Sequence, residues 1–321
     1  MGMSKVSIVI PNYNKGLFLV ETIQSVQANT YADWEIILID DGSTDNSVEL
    51  AQSLAQKDTR INIHLQKNQG GGAARNKGIA LATGEYLLFL DSDDLLSEKC
   101  LENRVSLAKK NSDGIGWVFP LLPFEGDFKD ENFIAPWVPP RDQFLEKLIA
   151  HDITWTSMSP IWKTSFIQQF GHWNSSYPRL QDIQFHTQLL LQNSKIYTFP
   201  EVEADCYYRL DERKLVLGNR YNYLEKWMKG CNMYLDEFIP QLAPPLNKKI
   251  TKTSMACLEV MGHYLRKKQI DKKQFDHLAA ELTQAIPYSN QKFVFKLYTR
   301  LLAALPFHVP GLARVFKFCL R

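Results

Sequence analysis

The sequence is short of several things, and each shortage removes a class of protein. Cysteine is sparse: Cys100, Cys206, Cys231, Cys257 and Cys319 stand singly among 321 residues, without metal-ligand spacing and without the density that staples a small secreted domain. They read as small apolar residues, core or surface filler, in a reducing compartment. Excess charge is missing too. Thirty-seven Lys and Arg against 35 Asp and Glu leave a formal charge of +2, which supplies no general positive field for nucleic acid. No uninterrupted apolar stretch approaches the roughly 18 residues of a membrane span. The first apolar run, Val6 to Ile10, stops at Pro11 and is too short for a signal-peptide core. Val6 also stands where a myristoylation signal carries Ser or Thr. These shortages predict a cytoplasmic chain.

What is present is an ordinary globular composition, 45% hydrophobic and 12% aromatic, enough for at least one full core. "VSIVI" is a β-rich run ended by Pro11 and Asn12, and Leu19, Ile23 and Val26 then recur at helical spacing. "WEIILID" predicts a second strand, with Ser43 or Asp45 capping a helix that carries Val48, Ala51 and Ala55. "INIHLQ" alternates as a third strand, Ala74, Gly78 and Leu81 mark another helix, and "YLLFLD" is a fourth strand. Continuous apolar strands separated by helices predict an α/β fold, a mostly parallel sheet covered on both faces, with ligands at the carboxyl ends of the strands. The polar clusters Asn12 to Asn14, Asp40 to Asp45 and Asp91 to Asp94 sit at those ends.

A helix with Leu101, Val105 and Ala108 on one face follows, after which prolines 120, 123, 136, 139 and 140 punctuate a long connection. Short strand-like runs return at "TSMSPIWK", "KIYTFP" and "DCYYRL". Helical patterns then cover segments near 221–239, 249–268, 272–285 and 291–305, so a boundary is placed near residue 215.

The stretch "LFLDSDDLLS" gathers Asp91, Asp93 and Asp94 in one turn after a buried-looking strand, and such carboxylates repel one another unless a cation sits among them. Oxygen-rich clusters suit Mg²⁺ or Mn²⁺, which take one or two carboxylates plus substrate phosphates. The alternative is an acidic turn that caps the next helix. "GGGAARN" opens a helix but lacks the Lys-Ser or Lys-Thr of a Walker loop, so its glycines read as a turn that lets the helix approach the sheet.

The ordered set "VSIVIPNYN", "IILIDDGSTDNS" and "NQGGGAARNKGIALATGEYLLFLDSDD" resembles the family 2 glycosyltransferases of the GT-A fold. The resemblance is dense from Val6 to Asp94, thinner to about Asp211 and absent beyond. It implies a Rossmann-like α/β/α sandwich with a mostly parallel, mixed sheet over residues 1–215, nucleotide-sugar binding in 1–110 and the acceptor side in 111–215. Residues 216–321 form a C-terminal helical region. It also implies inverting transfer of a sugar from a UDP-sugar to a glycan or lipid-linked glycan hydroxyl, with Mn²⁺ or Mg²⁺ on the diphosphate.

By that resemblance Pro11 and Tyr13 line the base pocket, Asp41 receives the uracil N3–H, Arg75 lies near the nucleotide, and Asp91 serves the ribose or metal waters. Asp40 orients its neighbour or touches the ribose. Asp93 coordinates the metal, Asp94 supports it or caps, and Asp211, where relatives carry His, is a third ligand or a solvated loop charge. Asp182, in "RLQDIQFHTQLLL", is the general base, with Gln181 replacing the usual Glu; the alternative is a helix N-terminal carboxylate. His186 reads as packed. Of Trp137, Trp155, Trp162 and Trp173, most are expected in the core, and only Trp155 is placed at an acceptor groove.

Two other functions stay open: a sugar-phosphate nucleotidylyltransferase, whose basic Gly-rich first loop "PNYNKG" does not match, and a catalytically silent nucleotide- or glycan-binding scaffold. After Glu281 no acidic residue occurs, whereas Lys292, Lys296, Arg300, Arg314, Lys317 and Arg321 alternate with apolar runs. Residues 290–321 therefore predict either a helical bundle with a solvated basic face or contact with an anionic membrane surface, peripheral at the inner face of the cell membrane.

Overall fold

The computed structural model describes residues 4–152, 155–192, 195–210 and 219–305, together with Leu312 and Phe316. Among them the chain forms two compact units. The first lies within 1–142, 154–175 and 188–214; the second lies within 143–153, 176–187 and 215–321.

The first unit is built on β1 (Val6–Asn12), β2 (Trp34–Asp40), β3 (Ile61–Leu65) and β4 (Tyr86–Phe89). Strands β1, β2 and β4 are buried almost throughout, which is why they read as unbroken apolar runs; β3, at the sheet edge, is half exposed. They continue into β6 (Gly116–Val118), β8 (Pro160–Lys163) and β9 (Ile196–Thr198) in the order β3-β2-β1-β4-β8-β6-β9. Only β8 runs antiparallel to its neighbours, giving a mostly parallel, mixed sheet. A small second sheet joins β5 (Leu95–Leu96), β10 (Cys206–Leu210) and β7 (Leu122–Glu125) in the order β5-β10-β7.

Side chains alternate across the main sheet. Ile8, Ile10, Ile36, Leu38 and Leu88 form one core with Leu19, Ile23 and Val26 of α1 (Gly16–Gln27), Ala51 of α2 (Ser47–Ala55), and Leu101, Val105 and Ala108 of α4 (Cys100–Lys110). On the other face lies α3 (Gly71–Leu81). There Gly78 makes the close approach: a Cβ on it would stand 2.2 Å from a Val9 methyl. Leu81, at the end of α3, is exposed rather than packed.

The chain leaves β1 toward β2 and β3 on one side and returns to β4 on the other, so the carboxyl ends of β1 and β4 border a topological switch point. Pro11 fits there because pairing of β1 with β4 ends at Val9–Phe89, and its missing N–H removes no bond on that side.

The proline-punctuated stretch expected as a connection contains β7, with β6 just before it. Each is three or four residues long, and β7 pairs with β10 more than eighty positions away, a partnership without local signal. The second unit contains α5 (Phe144–Ile149), the start of α7 (Gln181–Gln192), α8 (Arg220–Phe238), α9 (Leu246–Lys249), α10 (Lys252–Arg266), α11 (Lys272–Gln284) and α12 (Ser289–Ala304). A short helix, α6 (Thr164–Phe170), follows β8 in the first unit. No helix among the described residues is long and apolar enough to cross a membrane. All four described cysteines are buried and free.

Arg104 of α4 is fully buried and grips Asp205 through Nε (2.9 Å) and Nη2 (2.5 Å), donates to the Met158 carbonyl (2.7 Å), and lies 4.9 Å from the Phe119 ring centre. Burial works against the Arg104 charge, yet Asp205 beside it holds its pKa well above the ordinary value; burial also pushes the neighbouring Cys206 thiol up to about 12. Removing one member of a buried pair strands the other, at about 3–5 kcal/mol. Arg104→Met is expected to lower unfolding stability in urea by that order, and Arg104→Met with Asp205→Leu to recover much of it; equal losses in both variants would refute the pair's role.

Candidate functional site

The loop after β1 is laced to the loop after β2. Asn12 donates to Asp40 Oδ2 (2.7 Å) and Ser43 Oγ (3.2 Å), and Asn14, left-handed at φ 52°, accepts the Thr44 N–H at 2.7 Å. Asp40 also accepts from Ser43 Oγ (2.6 Å), Ser43 N (2.9 Å) and Gly42 N (3.2 Å). With about four acceptor positions on a carboxylate, Asp40 is taken up by Asn12 and by its own turn. Asp45 takes the Ser47 N–H (3.0 Å) as α2 begins, and the Gly16 N–H (2.9 Å) as α1 begins.

Asp41 orders the segment that leads into α3. It accepts Gln66 Nε2 (2.8 Å), Gln69 N (2.8 Å) and Gly70 N (2.7 Å), leaving one of about four acceptor positions. Gly70 sits at φ 88°, a conformation that an L side chain would strain, and releases Gly71 into the first turn of α3.

A cavity of about 330 Å³ opens at the ends of β1 and β4, and Pro11, Tyr13, Asp41, Arg75, Asp91 and Asp93 all line it. Tyr13 is 45% exposed. Six of the residues expected at a nucleotide and its metal are therefore brought to one place.

Three protein cations stand among the three aspartates. Arg75 Nη2 bonds Asp91 Oδ1 at 2.6 Å. Its guanidinium lies 4.5 Å from the ring centre of the buried Trp173, whose backbone N–H and carbonyl are both held by the Asn76 amide at 2.8 Å. Lys15 Nζ meets Asp93 Oδ2 at 2.8 Å and also lines the cavity. Arg209 of β10, 1% exposed, donates Nε to the Asp93 carbonyl (3.0 Å), its backbone N–H to Asp94 Oδ1 (2.9 Å), and Nη2 to Glu21 Oε2 (2.5 Å). Its guanidinium packs between Phe18 and Phe124. Asp94 is thus a support for the turn. Lys15 and Arg209 were not legible as site residues: nothing in "NYNKG" or "CYYRL" announces a partner some eighty or more positions away.

Among the described residues no group of three or more His, Cys, Asp or Glu side chains is placed to hold a metal by itself. Mg²⁺ and Mn²⁺ fit one or two carboxylates shared with phosphate oxygens, which Asp93 and Asp91 at one cavity wall satisfy. Asp211 lies outside the described residues. Trp155 is 5% exposed, so its ring is enclosed by protein and presents no open face for an acceptor. Trp162 and Trp173 are fully buried, as is His186. Asp182 lies partly buried in the first turn of α7, within the second unit, and Gln181 beside it donates to the Tyr177 carbonyl at 2.8 Å.

The chain is 37% identical over 150 residues to glycosyltransferase GlyG of Streptococcus pneumoniae serotype 4, a match covering 46% of this chain and 48% of GlyG. It is 37% identical over 137 residues to the uncharacterized glycosyltransferase EpsJ of Bacillus subtilis, covering 42% and 38%. The matched part is thus about half or less of these relatives. Among solved structures, TarS residues 1–349 of S. aureus superposes with a TM-score of 0.64 at 15% identity, covering 98% of this chain and 90% of that one. The mannosyltransferase PcManGT of Pyrobaculum calidifontis, solved with GDP-Man and Mn²⁺, gives 0.54 at 15% identity, covering 100% and 86%. These likenesses show the GT-A fold. The family model described as Glycosyl transferase family 2 matches residues 7–168, half of the chain, and it is to this family that the chain belongs.

Proposed function

We propose that the chain transfers a sugar, with inversion, from a UDP-sugar to a hydroxyl of a glycan or lipid-linked glycan. The observation that carries this reading is the convergence of Asp41, Arg75, Asp91, Asp93 and Lys15 on one cavity at the switch point of the sheet. Support for the uridine donor comes from TarS, a protein of the same fold solved in complex with UDP and with UDP-GlcNAc.

In this reading the exposed Tyr13 ring stacks on the base, and the remaining acceptor position of Asp41 takes the imide N–H as a charge-assisted hydrogen bond. Asp91, steadied by Arg75, meets the ribose or a metal-bound water. Asp93 would hold Mn²⁺ or Mg²⁺, with Asp211 as a further ligand, and a cation held there would supply charge stabilisation to the departing diphosphate. Asp182 removes the proton of the acceptor hydroxyl, whose oxygen bonds the anomeric carbon as the bond from that carbon to the diphosphate oxygen breaks.

Lys15 gives this site an internal cation. It pairs with Asp93 at 2.8 Å and is itself a donor suited to a diphosphate. Lys15→Met is expected to tighten Mn²⁺ binding measured by calorimetry without nucleotide, and to weaken UDP binding without metal. Each change should be about tenfold, the order of one charged hydrogen bond of about 1.5 kcal/mol. If neither affinity moves, Lys15 is only a surface charge.

Asp182→Asn is expected to lower turnover of UDP-sugar by about 10²–10⁴ while leaving UDP affinity unchanged, the signature of a lost general base. Equal turnover in the variant would remove Asp182 from this role. Nucleotide binding by the unaltered chain without turnover of any donor would instead favour the silent scaffold.

A further inference from the structure

Helix α12 has two opposite faces of unusual composition. Gln291, Phe295, Tyr298 and Leu302 recur at helical spacing and are buried, fixing the inward face. At 3.6 residues per turn the outward face falls on Phe293, Leu297 and Arg300, with Lys296 at its edge. Where a solvated helix would be polar, Phe293 is 69% exposed and Leu297 43% exposed, one turn apart. Single exposed apolar residues are ordinary; an aromatic and a leucine stacked on one face and flanked by cations are a different pattern.

The cations are concentrated and uncompensated. Lys292, Lys296 and Arg300 line one side of a groove of about 390 Å³ whose other side is Ala279, Ala280 and Thr283 of α11. Among the described residues none of the three is ion-paired, and Asp276, the acid at that groove, is taken by Lys272 at 3.0 Å. No acidic residue occurs after Glu281 to balance them.

We infer that this face of α12 docks on an anionic phospholipid bilayer, with Phe293 and Leu297 entering the acyl boundary and Lys292, Lys296 and Arg300 meeting the lipid phosphates. The arrangement is that of an interfacial helix: two apolar side chains on the outward face, with Arg300 reaching from the same face and Lys296 and Lys292 from its side toward headgroup height. Charge complementarity selects the bilayer over a second copy of the chain, because pairing two such faces would bring six cations together with only Asp276 of each copy, already held by Lys272, as an acid.

The inference stands apart from the nucleotide site and is tested without activity. The full chain is sedimented with phosphatidylcholine vesicles with and without phosphatidylglycerol, at low and high salt. Binding is expected only to the anionic vesicles and is expected to weaken with salt. Replacing the three cations in Lys292→Gln/Lys296→Gln/Arg300→Gln should reduce partitioning by about a hundredfold, at roughly fivefold per surface cation. Phe293→Ser/Leu297→Ser should also release the chain; Phe293, Lys296, Leu297 and Arg300 are exposed and Lys292 is half-buried, so circular dichroism and UDP binding should be unchanged in the variants. Equal binding to neutral and anionic vesicles, undiminished binding by the triple variant, or a dimer in sedimentation velocity that Phe293→Ser/Leu297→Ser dissolves would each overturn it.

Discussion

Crowding of like charge at the end of β4 is the constraint around which the cavity side of the first unit is arranged. Asp91, Asp93 and Asp94 lie within four residues, and each is met by a cation or backbone donor from a distant element. Arg75 comes from α3, Lys15 from the start of α1, and Arg209 from β10. Each requires a packing decision elsewhere: Arg75 needs the enclosed Trp173 ring beneath it, and Arg209 needs the gap between Phe18 and Phe124. The folded core and the polar site are therefore aspects of one electrostatic solution. A charge placed beside an opposite charge in a shielded site interacts more strongly than it would in water.

The parts legible in the sequence were those with local or periodic signals. Strands β1, β2 and β4 are buried on both faces and read as continuous apolar runs, while the helices of the second unit declare themselves by 3.6-residue spacing. The carboxylates were legible because their residue type and place after strands restrict what they do. Their cationic partners were not, since Lys15 in isolation is indistinguishable from a lysine on a helix start. Strands β6 and β7 were hidden for a related reason: three or four residues carry too little pattern, and their stability comes from β8, β9 and β10. Residues 143–153 and 176–187 join the helical unit through contacts such as Thr253 Oγ1 to the Ile149 carbonyl (3.1 Å), which no composition shift marks.

Buried polar groups divide between the two tasks of the fold. Arg104 and Asp205 lie apart from the cavity and join α4 to the strand that also carries Arg209. Asp40 and Asn12 set the geometry of two loops, so that Asp41 and Tyr13 are presented on a framework with few remaining degrees of freedom. Preorganisation of this kind reduces the ordering entropy lost when a ligand arrives.

The Asn76 amide acts on the main chain of a distant residue. Its nitrogen and oxygen grip the carbonyl and the N–H of Trp173, doing with a side chain what a neighbouring strand does with its main chain. Aspartate lacks the donor, and leucine, though close in size, lacks both functions. Position 76 is therefore chemically unforgiving although it does not line the cavity: loosening this clasp would free the indole on which the adjacent guanidinium rests, and disturbance at residue 173 would reach the cavity wall without any change in the wall itself.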